Sequence, residues 1–468
     1  MQFHKYDVVI AGTGMRAAIE SGRRARTAAL TKLYPARSHT GAAQGGMCAA
    51  PLRRGPRRSP DLPHLTLNRS MGTSMSTLSF HRGHPTQRRA AWAHVVRAAA
   101  ALAAGMGVGR FAYTPILPLM TAYAGLTATA AASLATANYV GNLLGAVAGM
   151  LPVLGRSARF HRGWLLLLVA TLAAMPLTTG VPGWIALRFL AGVASGAVFV
   201  FAVSSVLSHL RDHPAHLPGW SFSGVGFGIV LSGALVLGIP LAGSWRTAWW
   251  ATAGLCAVLA AVAWRLAPEP PPALERQPGS RPRTHRWFTA LFASYTLEGI
   301  GYIIAGTFLV AAVARTTPPW LGGVAWIVVG LAAMPSSIVW SRLGRRWARP
   351  DVLLAALVVQ AAGIALPALF GGMVAALVAA VLFGATFIGV SNVALATGNH
   401  LRFPRAVALL TVGYSLGQIL GPLVVAPLLR HGYEPALLLG AAVVLAAAGA
   451  AAILRIGFPH ESSCVPTV

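Results

Sequence analysis

Acidic residues are scarce: ten Asp and Glu in 468 residues, against 37 Lys and Arg. Charge of either sign is scarce too, at 10% of the chain where a soluble protein carries about 25%. With 56% hydrophobic residues, this excludes an ordinary soluble domain and points to a polytopic membrane protein. A net charge of +27 would suggest nucleic acid as the partner of a soluble chain. Outside the N-terminal segment, however, the arginines fall mostly in short gaps between apolar runs, where they act as topology signals. Nucleic acid is therefore not an expected partner, and the lipid bilayer is. The three cysteines, Cys48, Cys256 and Cys464, stand far apart, which excludes a disulfide framework and a thiolate metal site. No GxxxxGK[ST] loop is present, so direct drive by ATP is excluded. The first apolar run, Val8-Val-Ile-Ala11, is too short and too polar in its flanks for a secretory signal. Lysine is nearly absent: Lys5 and Lys32 both fall in the first 50 residues, which marks a junction there.

What the chain has in abundance is apolar runs of membrane length. The one that organises the rest contains Gly105-Met-Gly-Val-Gly-Arg-Phe-Ala-Tyr-Thr-Pro-Ile-Leu-Pro-Leu-Met120. Arg110 stands in its middle, and an arginine there is costly unless it faces a bundle interior or a wet cavity. The glycines before it allow neighbouring helices to approach closely, and the prolines after it allow a bend.

Spans of suitable length are expected near 93–121, 128–152, 163–180, 183–209, 218–242 and 246–266. A polar, proline-rich loop follows at 267–286, and six more spans near 287–314, 319–340, 351–370, 372–396, 405–429 and 434–457. The fold class expected is thus all-α membrane, with twelve helices in two six-helix halves, 91–266 and 287–458, and a tail at 459–468. The loops agree. Arg156, Arg159 and Arg162, then Arg211, then Arg276, Arg281, Arg283 and Arg286 lie on one side. Arg342, Arg345, Arg346 and Arg349, then Arg402 and Arg405, lie on that same side. The other side holds almost only Arg246, Arg315 and Arg430. By the positive-inside rule both termini are expected in the cytoplasm, with the protein in the inner membrane.

The first fifty residues read differently. Tyr6-Asp-Val-Val-Ile-Ala11 has the pattern of a buried parallel strand, and Gly12-Thr-Gly14-Met-Arg-Ala17 turns from it into a helix. Together with Leu30-Thr-Lys-Leu-Tyr-Pro-Ala-Arg-Ser-His-Thr-Gly-Ala-Ala-Gln-Gly-Gly-Met47, this resembles the N-terminus of the succinate dehydrogenase flavoprotein subunit. The resemblance implies that Gly12 and Gly14 match the pyrophosphate turn and His39 the covalent flavin attachment. It ends near Ala50, without the capping domain or substrate residues of that family, and its glycine turn is two residues short. Fifty residues bury too little to stabilise an α/β sheet alone. The expectation is a non-catalytic fragment left by a gene fusion or a misassigned start, with no functional cofactor. Residues 51–90, rich in Arg, Pro and Ser, read as a basic disordered linker, and Met71 or Met75 would serve as the start of the membrane protein. The alternative is a membrane-tethered FAD-binding flavoprotein.

Internal repeats relate the two halves of the membrane portion. Gly224-xxx-Gly228-xxx-Ser232 in span 5 corresponds to Gly413-xxx-Gly417-xxx-Gly421 in span 11, and Gly107-Val-Gly-Arg110 to Gly299-Ile-Gly-Tyr302. Arg188-xxx-Gly192-xxx-Gly196 in span 4, Gly417-xxx-Gly421-Pro422 in span 11 and the loop Ser341-Arg-Leu-Gly-Arg-Arg346 resemble motifs of the major facilitator superfamily. Ser341 stands where that superfamily's loop carries Asp. Gly105–Met120 with Tyr295-Thr-Leu-Glu-Gly-Ile-Gly-Tyr302 is similar to its YbfB/YjiJ branch, over residues 90–458. The resemblance implies a secondary transporter working by alternating access, and spans 1, 4 and 7 lining a central cavity.

The ionisable groups well inside spans are few. At 1.5 Å per residue, Arg110 lies ~20 Å into span 1, Glu298 ~17 Å into span 7 and Arg188 ~8 Å into span 4 from the opposite face. All three are expected at similar depth, where they could meet. Glu298 is the candidate for proton coupling, and Arg110 and Arg188 for holding a small organic solute. Two arginines against one carboxylate favour an anionic solute. Tyr113, Tyr302 and Gln418, with Asn138 and Asn142, are further pathway candidates, though a lone amide or phenol in a span also serves as helix–helix glue. No metal site is expected.

Overall fold

The computed structural model describes residues 8–11, 27–30, 85–151, 157–210, 216–239, 244–266, 284–344, 346–401, 403 and 406–459. The chain divides into two units, Met1–Pro85 and Thr86–Val468. In the first, β1 (Val8–Ala11) pairs in parallel with β2 (Thr27–Leu30), Val8 opposite Thr27 and Ala11 opposite Leu30. β1 lies inside the strand expected at Tyr6–Ala11. The chain between Ala11 and Thr27 is long enough for the crossover that parallel pairing requires.

The described elements of the second unit are all helices. α1 has three pieces: Pro85–Leu102, a π-helical turn Ala103–Arg110, and Tyr113–Tyr123. Then come α2 (Ala128–Met150), α3 (Ala158–Ala174), α4 (Val181–His209), α5 (His216–Leu237) and α6 (Trp245–Ala263). The second half consists of α7 (His285–Thr316), α8 (Pro319–Leu343), α9 (Arg349–Leu369), α10 (Gly372–His400), α11 (Ala406–Val425) and α12 (Glu434–Ile453). Each of the twelve expected spans has its helix. Eleven of them are long and apolar enough to cross a membrane; α2 is the exception, diluted by Ser133, Thr136, Asn138 and Asn142. α1 begins at Pro85, earlier than the linker expected to reach residue 90. α5 and α11 stop short of the expected 242 and 429, the latter before Pro427 and a 3₁₀ turn at Leu428–His431.

The ends follow from local chemistry. Thr127, Ser157 and Ser244 cap α2, α3 and α6 by accepting from the Ala130, Arg159 and Thr247 amides. The α9–α10 turn passes through Gly371 and Gly372 at φ of 58° and 78°, a region where a Cβ is strained.

Large apolar side chains face outwards, among them Phe370, Val374 and Leu177, as suits a lipid solvent. Inside, helices meet through small residues. α2 and α4 pack backbone to backbone, with Gly192 against the Asn138 carbonyl, Gly196 against that of Asn142, and Gly141 and Gly145 against α4. The predicted repeat is visible in space: Gly224 and Gly228 seat α5 on α1, while Gly413 and Gly417 seat α11 on α7. Without a hydrophobic drive between helices in lipid, such close approach supplies the packing energy.

Candidate functional site

The site is built on the π-helical turn of α1. Its three glycines each admit a different neighbour: Gly105 meets α4 at Val198, Gly109 meets α3 at Leu168, and a Cβ on Gly107 would fall 2.6 Å from the Gly228 Cα of α5. The turn also disturbs the carbonyl ladder. Phe111 donates back to Met106 at 3.3 Å, one residue further than in an α-helix, and Thr114 donates to Phe111 at 3.1 Å. The Arg110 carbonyl therefore loses its usual donor, and Pro115 has no N–H to offer in its place.

Arg188 of α4 fills this gap. Its Nη1 donates to the Gly109 carbonyl and its Nη2 to the Arg110 carbonyl, both at 3.1 Å. It is 1% exposed, lies 5.0 Å over the Tyr113 ring and 6.0 Å over that of Trp249. Asn138 of α2 donates to the Arg188 carbonyl at 2.9 Å, and Tyr113 donates to the Ala131 carbonyl at 3.1 Å. Ser195 of α4 bonds the Gly105 carbonyl. Both Nη groups of Arg188 are thus engaged by the backbone of α1, and its Nε is left without an acceptor.

Arg110 is placed differently. Its Nη2 donates to the Tyr302 hydroxyl of α7 at 3.2 Å, across the junction of the two halves. Gln418 of α11 donates to that same hydroxyl at 2.8 Å. The guanidinium carbon lies 4.8 Å from the Tyr139 ring centre and 5.1 Å from that of Phe111. Arg110 is 3% exposed, its Nε has no hydrogen-bond partner, and among the described residues no carboxylate pairs with it.

Glu298 is fully buried on α7, one turn before Tyr302. Its Oε1 accepts from Gln360 Nε2 of α9 at 3.2 Å, while Glu298 Oε2 and Gln360 Oε1 are without partners. The expectation that Arg110, Arg188 and Glu298 could meet is therefore corrected. Arg110 and Arg188 adjoin through the α1 backbone, and Tyr113, Tyr302 and Gln418 join them, but Glu298 turns to α9. Depth along a helix is readable from residue count; the direction a side chain faces is set by packing. Tyr302, Tyr414 and Tyr295 form a stacked ladder beside Glu298, with ring centres 5.4 Å and 4.3 Å apart.

Bordered by Phe111 and Tyr302, both in contact with Arg110, lies a narrow crevice between the halves, too tight to hold a water molecule. Phe111, Tyr302, Trp326, Phe383 and Phe387 supply its aromatic walls. Phe387 meets Tyr302 and Phe383 with rings stacked at 6.0 Å, and Phe111 edge-on at 6.0 Å. Thr114 donates to the Gly306 carbonyl at 2.6 Å, and the Tyr139 and Thr307 hydroxyls are 2.8 Å apart. These bonds tie α1 and α2 to α7.

Gln360, Tyr139 and Thr114 were not among the expected site residues. Gln360 was findable as an amide alone in an apolar span; Tyr139 and Thr114 carry no such signal. Gly12, Gly14 and His39 lie outside the described residues, as do loop arginines including Arg156, Arg211, Arg276, Arg345 and Arg402. Among the described residues no group of three or more His, Cys, Asp or Glu is placed to hold a metal ion.

Comparison with known proteins bears on both units. The family described as "Uncharacterised MFS-type transporter YbfB" matches residues 102–452. A crystal structure of a mutant of the nucleoside transporter NupG is similar with a TM-score of 0.58 and 14% identity, covering 77% of this chain and all of that one; at that identity the likeness is one of fold. The succinate dehydrogenase flavoprotein subunits of Rickettsia felis and Rickettsia conorii are each 51% identical over 51 residues. That stretch is 10% of this chain and spans only 9% of those relatives.

Proposed function

Since this chain belongs to the YbfB-type family of MFS transporters, we propose that it carries a small organic solute by alternating access, driven by proton movement. The solute is held at Arg110, and the observation that carries this is a buried cation at the junction of the halves with a free N–H and no carboxylate partner among the described residues. A group that costly persists where it serves a pathway. Glu298 is the proton carrier: a buried carboxyl on α7 with one oxygen unpartnered.

The two sites communicate through α7. A solute competing for the Arg110 guanidinium releases the Tyr302 hydroxyl, and Tyr302 stands one turn from Glu298 on the same helix. Movement of α7 then alters the Gln360 contact that holds Glu298. Only differential contacts in two states can couple two fluxes, and Tyr302 is the contact that changes. Arg188 maintains the shape of α1 beneath the site. The protein resides in the inner membrane with both termini in the cytoplasm; reporter fusions at the C-terminus and within 267–285 should both report the inside.

The test uses proteoliposomes with an internal pH dye and a panel of candidate solutes. Glu298→Gln should abolish accumulation driven by a pH gradient and spare solute exchange. Full pH-driven accumulation in folded Glu298→Gln protein would remove Glu298 from the coupling step.

A further inference from the structure

We propose that the Arg110 site takes an organic monocarboxylate with an apolar or aromatic body. This deepens the transport reading and rests on it for the opening of the crevice.

Three features set the class. The first is the edge of Arg110 that is free. Nε and Nη2 lie side by side on a guanidinium and together grip a carboxylate with two parallel hydrogen bonds. Here Nε has no acceptor, and Nη2 has only the neutral Tyr302 hydroxyl at 3.2 Å. A carboxylate arriving at that edge satisfies the orphan donor and replaces a phenol with a full counter-charge. The second feature is the number of cations. Arg188 adjoins the site, but its Nη1 and Nη2 are turned onto the Gly109 and Arg110 carbonyls, and its guanidinium packs on the Tyr113 and Trp249 rings, neither of which lines the crevice. One cation is therefore available, which suits a monoanion; a dianion would bring a second charge with no partner into a buried site.

The third feature is the wall. The crevice behind Tyr302 and Phe111 is lined by aromatic rings, with Ile229 and Val329 beside them. Gly306 also lines it, and its carbonyl already accepts from Thr114. A solute rich in hydroxyls or amides would leave its polar groups unpaired there, whereas a ring or alkyl body would stack on Phe387 and Trp326. In the structure described, the crevice is closed and Tyr302 covers the Arg110 edge. Tyr302 thus acts as the latch that the carboxylate displaces.

The probes are benzoate and hexanoate, with benzamide, phthalate and uridine for comparison. Binding is measured on purified full-length protein by calorimetry and by thermal stabilisation. Benzoate or hexanoate should bind, and benzamide, phthalate and uridine should not. Arg110→Lys keeps the charge but loses the two-pronged edge, and should weaken benzoate by at least about tenfold, the weight of one charge-assisted hydrogen bond. Tyr302→Phe uncovers the edge and should tighten benzoate binding, a gain that a purely structural tyrosine would not produce. Absence of binding by both carboxylates in folded protein, equal binding of benzamide, or weaker binding in Tyr302→Phe overturns the proposal. Benzoate binding without uptake into proteoliposomes leaves it standing and defeats the transport reading. Proton-coupled uptake of uridine without carboxylate binding does the reverse.

Discussion

Replacing Arg188 with methionine tests how α1 is held. The guanidinium supplies two hydrogen bonds, each 3.1 Å, to carbonyls that the π turn and Pro115 deprive of backbone donors. The methionine side chain would fill similar volume and leave both carbonyls buried without a partner. At roughly 1–3 kcal/mol for each orphaned group, the loss is about 2–6 kcal/mol. Against this, a buried cation without a carboxylate carries its own desolvation cost, and its removal offsets part of the loss. A net destabilisation of about 3 kcal/mol is expected. Arg188→Lys should recover less than half, because one ammonium lacks the planar fork that reaches two carbonyls at once. Cys256 is a buried free thiol in α6 and serves as the reporter. With Cys48 and Cys464 changed to serine, its reaction with a thiol-activated fluorophore during heating follows unfolding. Arg188→Met should react at a clearly lower temperature. If it melts with the parent protein, Arg188 does not hold the α1 backbone, and the reasoning fails.

Three further outcomes follow from the same geometry. Gly107→Val places a side chain where backbone of α5 lies 2.6 Å from the Cβ position; nothing flexible can yield, and the amount of folded protein recovered in detergent should fall sharply. Thr114→Val combined with Thr307→Val removes the bonds tying α1 and α2 to α7, about 2 kcal/mol together, and should loosen the junction of the halves; with Val329→Cys added, the new thiol in the crevice lining should then react faster with a maleimide. The N-terminal segment should carry no covalent flavin, and a fluorescent band on a denaturing gel that disappears in His39→Ala would refute this.

The number of spans, their order and the repeat between halves were legible because a helix in lipid must satisfy its backbone internally. That requirement leaves long apolar runs, and close helix packing leaves glycines at four-residue spacing. The flavoprotein-like stretch was legible from its motif residues, and its strand at Val8–Ala11 is in place. Arg110, Tyr302 and Gln418 were identifiable as polar residues deep in apolar spans, and they do come together. Their roles were not identifiable. Arg188 and Arg110 look alike in the sequence, yet one holds α1 carbonyls and the other presents a free edge. Glu298 was expected beside the two arginines but faces Gln360 on α9. Composition and periodicity determine that a segment is a buried helix and how far along it a residue lies. Which neighbour a side chain meets depends on the rotation of each helix about its axis. That rotation is decided only when glycine-lined backbones from different spans lock together, as Gly107 does against Gly228.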